Sequence, residues 1–326
     1  NSGWTDGLPV IPPYGSVVDT MLEAMGWQPS DIVGEIPDQS IVIRAEKAAA
    51  TAVMAGCKPE YGRLLRALTL GLLDPKLNIS GAEVTTGGAA ILVIVSGPIV
   101  AELGFEHETN ALGANNRANA TIGRFAQMMR YFCGRGGGTL QSHGTIGQPG
   151  RLRFCIAEHP KTEWGSYHTQ YGIPEGASAI SLMSTEGPNS VNNHYGEDGA
   201  TVLDTICDAM CHYGQTAWYY RSGGFVVVIP PDHMDLIAKD FTRDEAAAYI
   251  HENARRQTDD LAAIGRIAKD PIPYTSVVPG EMRSPLRNIE QLSFIECGSK
   301  GGRFSAIIPR WVGSQNVVCR QIKDAS

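Results

Sequence analysis

Apolar residues along the chain fall into two rhythms. In "SVVDTMLEAMG" (16–26) they recur at helical spacing, with Ser16 suited to cap the start and Gly26 to end it. The same rhythm predicts helices in "IRAEKAAATAVMAG" (43–56), "PEYGRLLRALTLGLL" (59–73, Pro59 in the first turn) and "NATIGRFAQMMRYFCG" (119–134). It returns in "GATVLDTICDAMCHYG" (199–214) and over 231–239 and 242–257. The second rhythm is the short continuous apolar run of a buried strand, as in "AAILVIVSG" (89–97) and "GGFVVVIP" (223–230). "LRFCIAE" (152–158), "ASAISLMST" (177–185), residues 291–296 and "NVVCRQI" (316–322) read as further strands.

Interleaved strands and helices predict an α/β fold with mixed or parallel sheets flanked by helices. A weak internal echo suggests two similar lobes. "SVVDTMLEAMG" resembles "TVLDTICDAMCHYG", and strands before proline recur as "VIVSGP" and "VVVIPP". The Gly-rich segment "GRGGGTLQSHGTIGQPGR" (134–151) reads either as a linker or as an ordered loop over a site. The expected division is an N-terminal lobe, 1–150, and a C-terminal lobe, 151–326, carrying the Cys297 loop.

Charge narrows the function classes. The net charge of −7 argues against a general nucleic-acid binder. No apolar run approaches the ~18 residues of a membrane helix, and "AAILVIVSGPIVAEL" is broken by Ser96-Gly97-Pro98. No signal-peptide pattern opens the chain. Seven cysteines without a Cys-x-x-Cys pair do not make a disulfide framework, so a reducing, cytoplasmic setting is expected. A Gly-rich, apolar chain of this size is also expected to form a homo-oligomer.

Candidate chemistry gathers in a few stretches. "ECGSKGGR" places Cys297 before Ser299, Lys300 and Arg303, with three glycines whose N–H groups could converge on an anion. The same stretch also reads as a small buried residue beside a turn. Cys57, between two helices in "AGCKPEYG", is a second thiol to weigh against a buried corner. "NALGANNRANATIGR" offers Asn115, Asn116, Arg117 and Asn119 before a helix, and "EGPNSVNNHYGEDG" offers Asn189, Asn193 and His194. Such amides suit a small polar ligand, and they also suit turns and caps. "EVTTGG" adds Thr85 and Thr86 but lacks a P-loop lysine. Glu158 and His194 are the proton-carrier candidates among the scattered His143, His159, His168 and His194. Cys207, Cys211 and His212 share a helix at a spacing that suits either a metal or the core.

The phrases "DGLPVIPP", "AVMAGCKPEY", "NNRANATIGR", "GQPGRLRFCIAE", "EGPNSVNN" and "GGRFSAIIP" together resemble the UGSC-like (seleno)protein family over most of the chain. That family is named for a selenocysteine-Gly-Ser-Cys tetrad. "CGSK" at 297–300 is similar to it in three positions, with Lys300 where the second thiol would stand. The resemblance implies a reactive Cys297, and the lysine implies nucleophilic chemistry rather than disulfide cycling.

The leading expectation is therefore an enzyme whose Cys297 attacks a small polar or carboxylate-bearing substrate, in hydrolysis, addition or lyase-type cleavage. Lys300 and Ser299 would assist, Glu158 or His194 would carry protons, and Arg117, Arg303 and the amides would orient the substrate. No cofactor is expected, with a bound metal left open. The alternatives are a thiol oxidoreductase pairing Cys297 with a distant thiol such as Cys57 or with an external one, a metal-dependent enzyme with ligands among Cys57, Cys207, Cys211, Glu158 and the histidines, and a non-catalytic anion-binding protein.

Overall fold

The computed structural model of the protein describes residues 5–36, 40–113, 116–133, 143–212, 214–221, 223–268, 278–313 and 316–324. The chain opens with α1 (Gly15–Met25), the hairpin β1 (Ile32–Ile36) and β2 (Ile41–Arg44), α2 (Ala45–Ala55), α3 (Gly62–Leu72) and α4 (Ile79–Val84). Then come β3 (Ala90–Ser96), α5 (Ile99–Glu102), α6 (Arg117–Cys133), β4 (Cys155–Ala157), β5 (Ala179–Thr185) and β6 (Asn189–Asn192). The remainder is α7 (Gly199–Met210), α8 (Ala217–Tyr220), β7 (Phe225–Ile229), α9 (Pro231–Asp240), α10 (Arg243–Asn253), β8 (Arg256–Gln257) and α11 (Thr258–Ala263). It closes with β9 (Met282–Arg283), β10 (Leu292–Glu296), β11 (Phe304–Pro309) and β12 (Val318–Gln321).

The fold is α/β, built from two compact units. One comprises Asn1–Lys161, Ser166–Glu186 and Asn316–Ser326, the other Thr162–Gly165 and Gly187–Gln315. The expected boundary at 150 is thus displaced, because strand partners decide membership. β4, just past 150, pairs parallel with β3, and β12 returns from the chain end to pair with β5. Of the two readings of the Gly-rich segment, linker or ordered loop, its described part fits the ordered loop. Thr145 N–H donates to the Thr86 carbonyl, and the Gln148 and Arg151 side chains donate to the Thr185 and Ala89 carbonyls. Residues 134–142 lie outside the described residues.

Each unit holds one mixed four-stranded sheet, ordered β12-β5-β3-β4 in the first and β10-β7-β11-β6 in the second. The two orders match once β3 is set on β7. Each of these central strands has one parallel neighbour, β4 or β10, and one antiparallel neighbour, β5 or β11. The fourth place is filled from opposite chain directions, by β12 after its sheet and by β6 before. The sequence echo therefore corresponds to recurring topology. Two elements of the second sheet escape the apolar pattern: β6 lies inside the polar Asn-rich stretch, and β11 begins directly after Gly-Gly-Arg.

In the first unit, Ile91, Val93 and Val95 point from β3 into a core shared with Met21, Met25, Leu64, Leu68, Ile122 and Phe125 of the helices. Alternation along the strand dictates that face. The opposite side of α6 is polar yet also buried. Gln127, 1% exposed, takes both backbone groups of Ile91, its amide accepting from the N–H at 3.4 Å and donating to the C=O at 2.7 Å. β4 spans only three residues and pairs with Val93–Val95, so the Gln127 amide completes the ladder where that strand is missing. Arg130 on the same face forms an ion pair with buried Glu83 of α4, which Arg151 also approaches.

α6 reaches this position only because residue 123 is glycine. A Cβ there would stand 2.8 Å from the Phe154 nitrogen and 3.1 Å from the Cys155 Cβ. Alanine would improve intrinsic helix stability by about 1 kcal/mol. Forcing a methyl group against the backbone beside β4 costs about 1–3 kcal/mol. Since backbone cannot swing aside as a side-chain tip can, the cost outweighs the gain, and Gly123→Ala should lower unfolding free energy by up to about 2 kcal/mol in urea denaturation. A stabilised variant would show that α6 and β4 are not in this close contact.

Candidate functional site

In the second unit, Cys297 follows β10 at the carboxyl end of the parallel β7–β10 pair. Its N–H donates to the Ile229 carbonyl at 3.1 Å, and it is buried. Gly298 takes φ +116°, a conformation that side chains disfavour, and a Cβ there would lie 3.3 Å from the Pro230 Cβ. The Cys297–Gly298 turn therefore rests on Pro230, the N-cap residue of α9. Ligands of open α/β sheets bind outside such carboxyl strand ends.

The cations of this loop are already engaged. Lys300 Nζ lies 2.9 Å from Asp235 on α9, and that pairing holds the lysine above its ordinary value. Gly301 N–H donates to Asp232, also on α9. Arg303 donates to the His194 and Gly196 carbonyls, each at 2.9 Å. Lys300, expected to assist Cys297, and Arg303, expected to orient the substrate, thus each have a partner within the fold. Both fasten the loop to its surroundings, and the lysine is firmly protonated. Ser299 is exposed beside them.

The second Asn-rich stretch is also structural. Asn189 is an exposed residue of strand β6, opposite Ile307. Asn193 holds a turn: its amide donates to the Thr201 carbonyl and the Thr205 hydroxyl and accepts from Gly196 N–H. His194 is exposed, with its ring edge-on to Phe304 and its Nδ1 beside the Asn192 amide.

The first unit disposes of its candidates similarly. Cys57 lies between Gly56, the C-cap of α2, and Lys58, the N-cap of the 3-10 turn Pro59–Tyr61 that leads into α3. Its thiol donates to the Thr121 carbonyl at 3.4 Å, and burial pushes it up to about 12. Arg117 does reach this corner, but its Nε donates to the Gly56 carbonyl and so satisfies a helix end. Thr85 accepts from Gly87 N–H across a turn, and the Thr86 carbonyl accepts from Thr145. Asn115 lies outside the described residues. Asn116 and Asn119 act as scaffold. Asn119, fully buried, accepts from Glu106 N–H at 2.9 Å and donates to the Glu106 and Cys155 carbonyls. Asn116 donates to the Gly104 carbonyl and accepts from Asn119 N–H. Together they tie the 104–106 loop to β4.

Burial likewise pushes up the thiols of Cys155 and Cys319, Cys207 to about 12 and Cys211 to about 11. Cys207 and Cys211 pack in the apolar core of the second unit. Glu158 is buried at the end of β4, where both its oxygens accept from Tyr167 N–H at 2.9 and 3.1 Å.

Groups not singled out in the sequence emerge from the geometry. His107, Glu108 and His159 offer donor atoms within 4.8 Å of one another. Their signal was two Glu-His dipeptides, 106–107 and 158–159. Two buried Ser–His pairs recur, Ser96–His168 and Ser305–His233, each 2.8 Å between Oγ and Nδ1. A cavity of about 520 Å³ in the first unit is lined by Arg66, Leu70, Ile173, Cys319, Arg320 and Lys323 among others, and by none of the site candidates.

His233 offers a pH test. Burial lowers its pKa from the ordinary 6.5, so the folded unit keeps it neutral. As pH falls below 6.5 the unfolded chain takes up a proton that the folded chain refuses. Stability is then lost until the pH reaches the lowered folded value. The loss of unfolding free energy between pH 7 and 5 should be shallower in His233→Gln than in the parent. Equal slopes would show that His233 titrates normally.

Among the described residues no helix is long and apolar enough to cross a membrane. Compared with protein-family models and with curated proteins, the chain matches none.

Proposed function

We propose that the protein is an enzyme that uses Cys297 as a nucleophile on a small polar substrate. One observation carries this reading: Cys297 sits at the carboxyl end of the parallel β7–β10 pair, and the next residue, Gly298, lies against Pro230, the N-cap of α9. The positive end of a helix dipole favours a thiolate. The likeness of "CGSK" to the tetrad of UGSC-like proteins points the same way.

In its hydrolytic form the thiolate sulfur bonds to an electrophilic carbon, and the leaving group departs with the electron pair of its bond and gains a proton. Water then cleaves the new S–C bond and restores the thiol. Lys300 plays no part in this reading, because its ammonium is paired with Asp235.

Iodoacetamide at neutral pH, followed by peptide mass mapping, tests the reading directly. Cys297 should be alkylated at least ~10-fold faster than any other cysteine, as an activated thiolate requires. The Lys300→Ala variant should keep that rate within about twofold, because an exposed ion pair contributes little. Labelling of Cys297 no faster than Cys57 would exclude the nucleophile.

A further inference from the structure

The two Glu-His dipeptides lie on separate loops, and the first unit folds them together. His107 and Glu108 follow the short loop after α5, and His159 directly follows the end of β4. Each of the three side chains offers a ligand atom, and those atoms lie within 4.8 Å of one another. The imidazoles are half-buried, 5.2 Å apart between ring centres and nearly perpendicular, and Glu108 is exposed.

Hydrogen bonds prepare the rings for coordination. His159 Nδ1 lies 2.9 Å from the Lys161 carbonyl, which can only accept, so this nitrogen carries the proton. The Lys161 N–H, 3.3 Å from the same nitrogen, is the weaker contact. His107 Nδ1 faces the Phe105 carbonyl at 3.4 Å in the same sense. With Nδ1 protonated, Nε2 keeps the lone pair on both rings. Imidazole metal ligands are oriented in this way, by donating the other ring N–H to a backbone carbonyl.

The loop that carries His107 is fixed independently. Buried Asn119 holds both backbone groups of Glu106 and the Cys155 carbonyl of β4, the strand that leads to His159. The Glu106 carboxylate accepts from Glu108 N–H at 2.8 Å. One buried amide thus sets the spacing of both histidines.

We propose that His107, Glu108 and His159 form a binding site for a first-row divalent cation, with Zn²⁺ the ion best suited to this donor set. Two imidazoles and one carboxylate are a common catalytic-type set, and three protein ligands leave a fourth position for water or a substrate oxygen. Tetrahedral Zn²⁺ with bonds of ~2.0–2.1 Å holds its donors roughly 3.3 Å apart. Side-chain rotation closes the donors from within 4.8 Å to that spacing, and the exposed Glu108 side chain is open to such rotation. The site lies at the carboxyl end of the parallel β3–β4 pair, where a water-bearing metal would be open to a small molecule. This inference does not rest on the thiol reading.

The test is calorimetric titration of the full, chelator-treated chain with Zn²⁺. One equivalent should bind, and the melting temperature should rise with it. His107→Ala and His159→Ala should each weaken that binding by roughly 100-fold, and the double variant should lose it, since even outer-shell losses cost about 10–100-fold. Glu108→Gln, an exposed and nearly isosteric change, should keep the metal-free melting temperature and still weaken binding. Cys297→Ala should bind as the parent does, which separates this result from the fate of the nucleophile. Absence of a Zn²⁺ site in the parent, or undiminished binding in the double variant or in Glu108→Gln, would overturn the proposal.

Discussion

The first unit depends on a helix that buries its polar face. Asn119, Gly123, Gln127 and Arg130 fall on one side of α6 at helical spacing, turned toward β3, β4 and α4. A buried amide or guanidinium without a partner costs more than a satisfied one returns. Each of these groups therefore demands a particular neighbour. Gln127 finds the stretch of β3 that β4 is too short to cover, Asn119 finds the Glu106 loop, and Arg130 finds Glu83. At the outer edge of the helix, Arg124 holds the chain lead-in through Asp6 and the Pro9 carbonyl. Apolar packing on the other side supplies adhesion. The polar side supplies register, because hydrogen bonds specify position and direction while burial alone specifies only area.

The second unit reuses the sheet without reusing this device. Its central strand β7 has a five-residue parallel neighbour, β10, so no side chain is needed to complete the ladder. What recurs is a buried Ser–His pair in each unit. In both, the far ring nitrogen faces a backbone carbonyl at 3.1 Å, that of Pro174 for His168 and that of Asn193 for His233. That carbonyl places the proton on Nε2, leaving Nδ1 to accept from the serine hydroxyl. The pair has dyad-like geometry, yet all four residues are buried. In the first unit it fastens the 3-10 turn Tyr167–Tyr171 to β3, and in the second it fastens α9 to β11, which is a structural use of the arrangement.

Periodicity made the α/β class, the principal helices and the internal echo legible, because each apolar residue reports locally which face is buried. The fate of polar residues was not legible in the same way. Asn119 and Asn193 have the composition of a ligand cleft, and what decides between cleft and scaffold is whether a backbone group stands opposite. That depends on contacts far along the chain, such as the Arg303 carbonyl that receives Asn193 N–H. Lys300 and Arg303 misled for the same reason. Their partners, Asp235 and the carbonyls of His194 and Gly196, are distant in sequence. β11 was hidden because its apolar run follows a turn rich in glycine and charge, which drew attention to the loop instead of the strand.

The distribution of hydrogen bonds separates groups that can react from groups that hold. Cys57 and Glu158 are buried with backbone partners, so any change in their protonation disturbs packing. His107, Glu108 and His159 have the opposite arrangement. Nδ1 of each ring and the Glu108 N–H have partners, and the three side chains offer ligand atoms within 4.8 Å of one another at a partly open surface. Rigid support beneath free lone pairs is what coordination requires, because a ligand already held in place loses little freedom when it binds. The loop at Cys297 has the rigid support as well, through Asp232, Asp235 and Pro230, but Cys297, the nucleophile we propose, is buried. A substrate must therefore reach a covered sulfur there, whereas an ion reaches the histidine cluster from solvent. The two sites place opposite demands on the fold, access in one case and nothing more than side-chain rotation in the other.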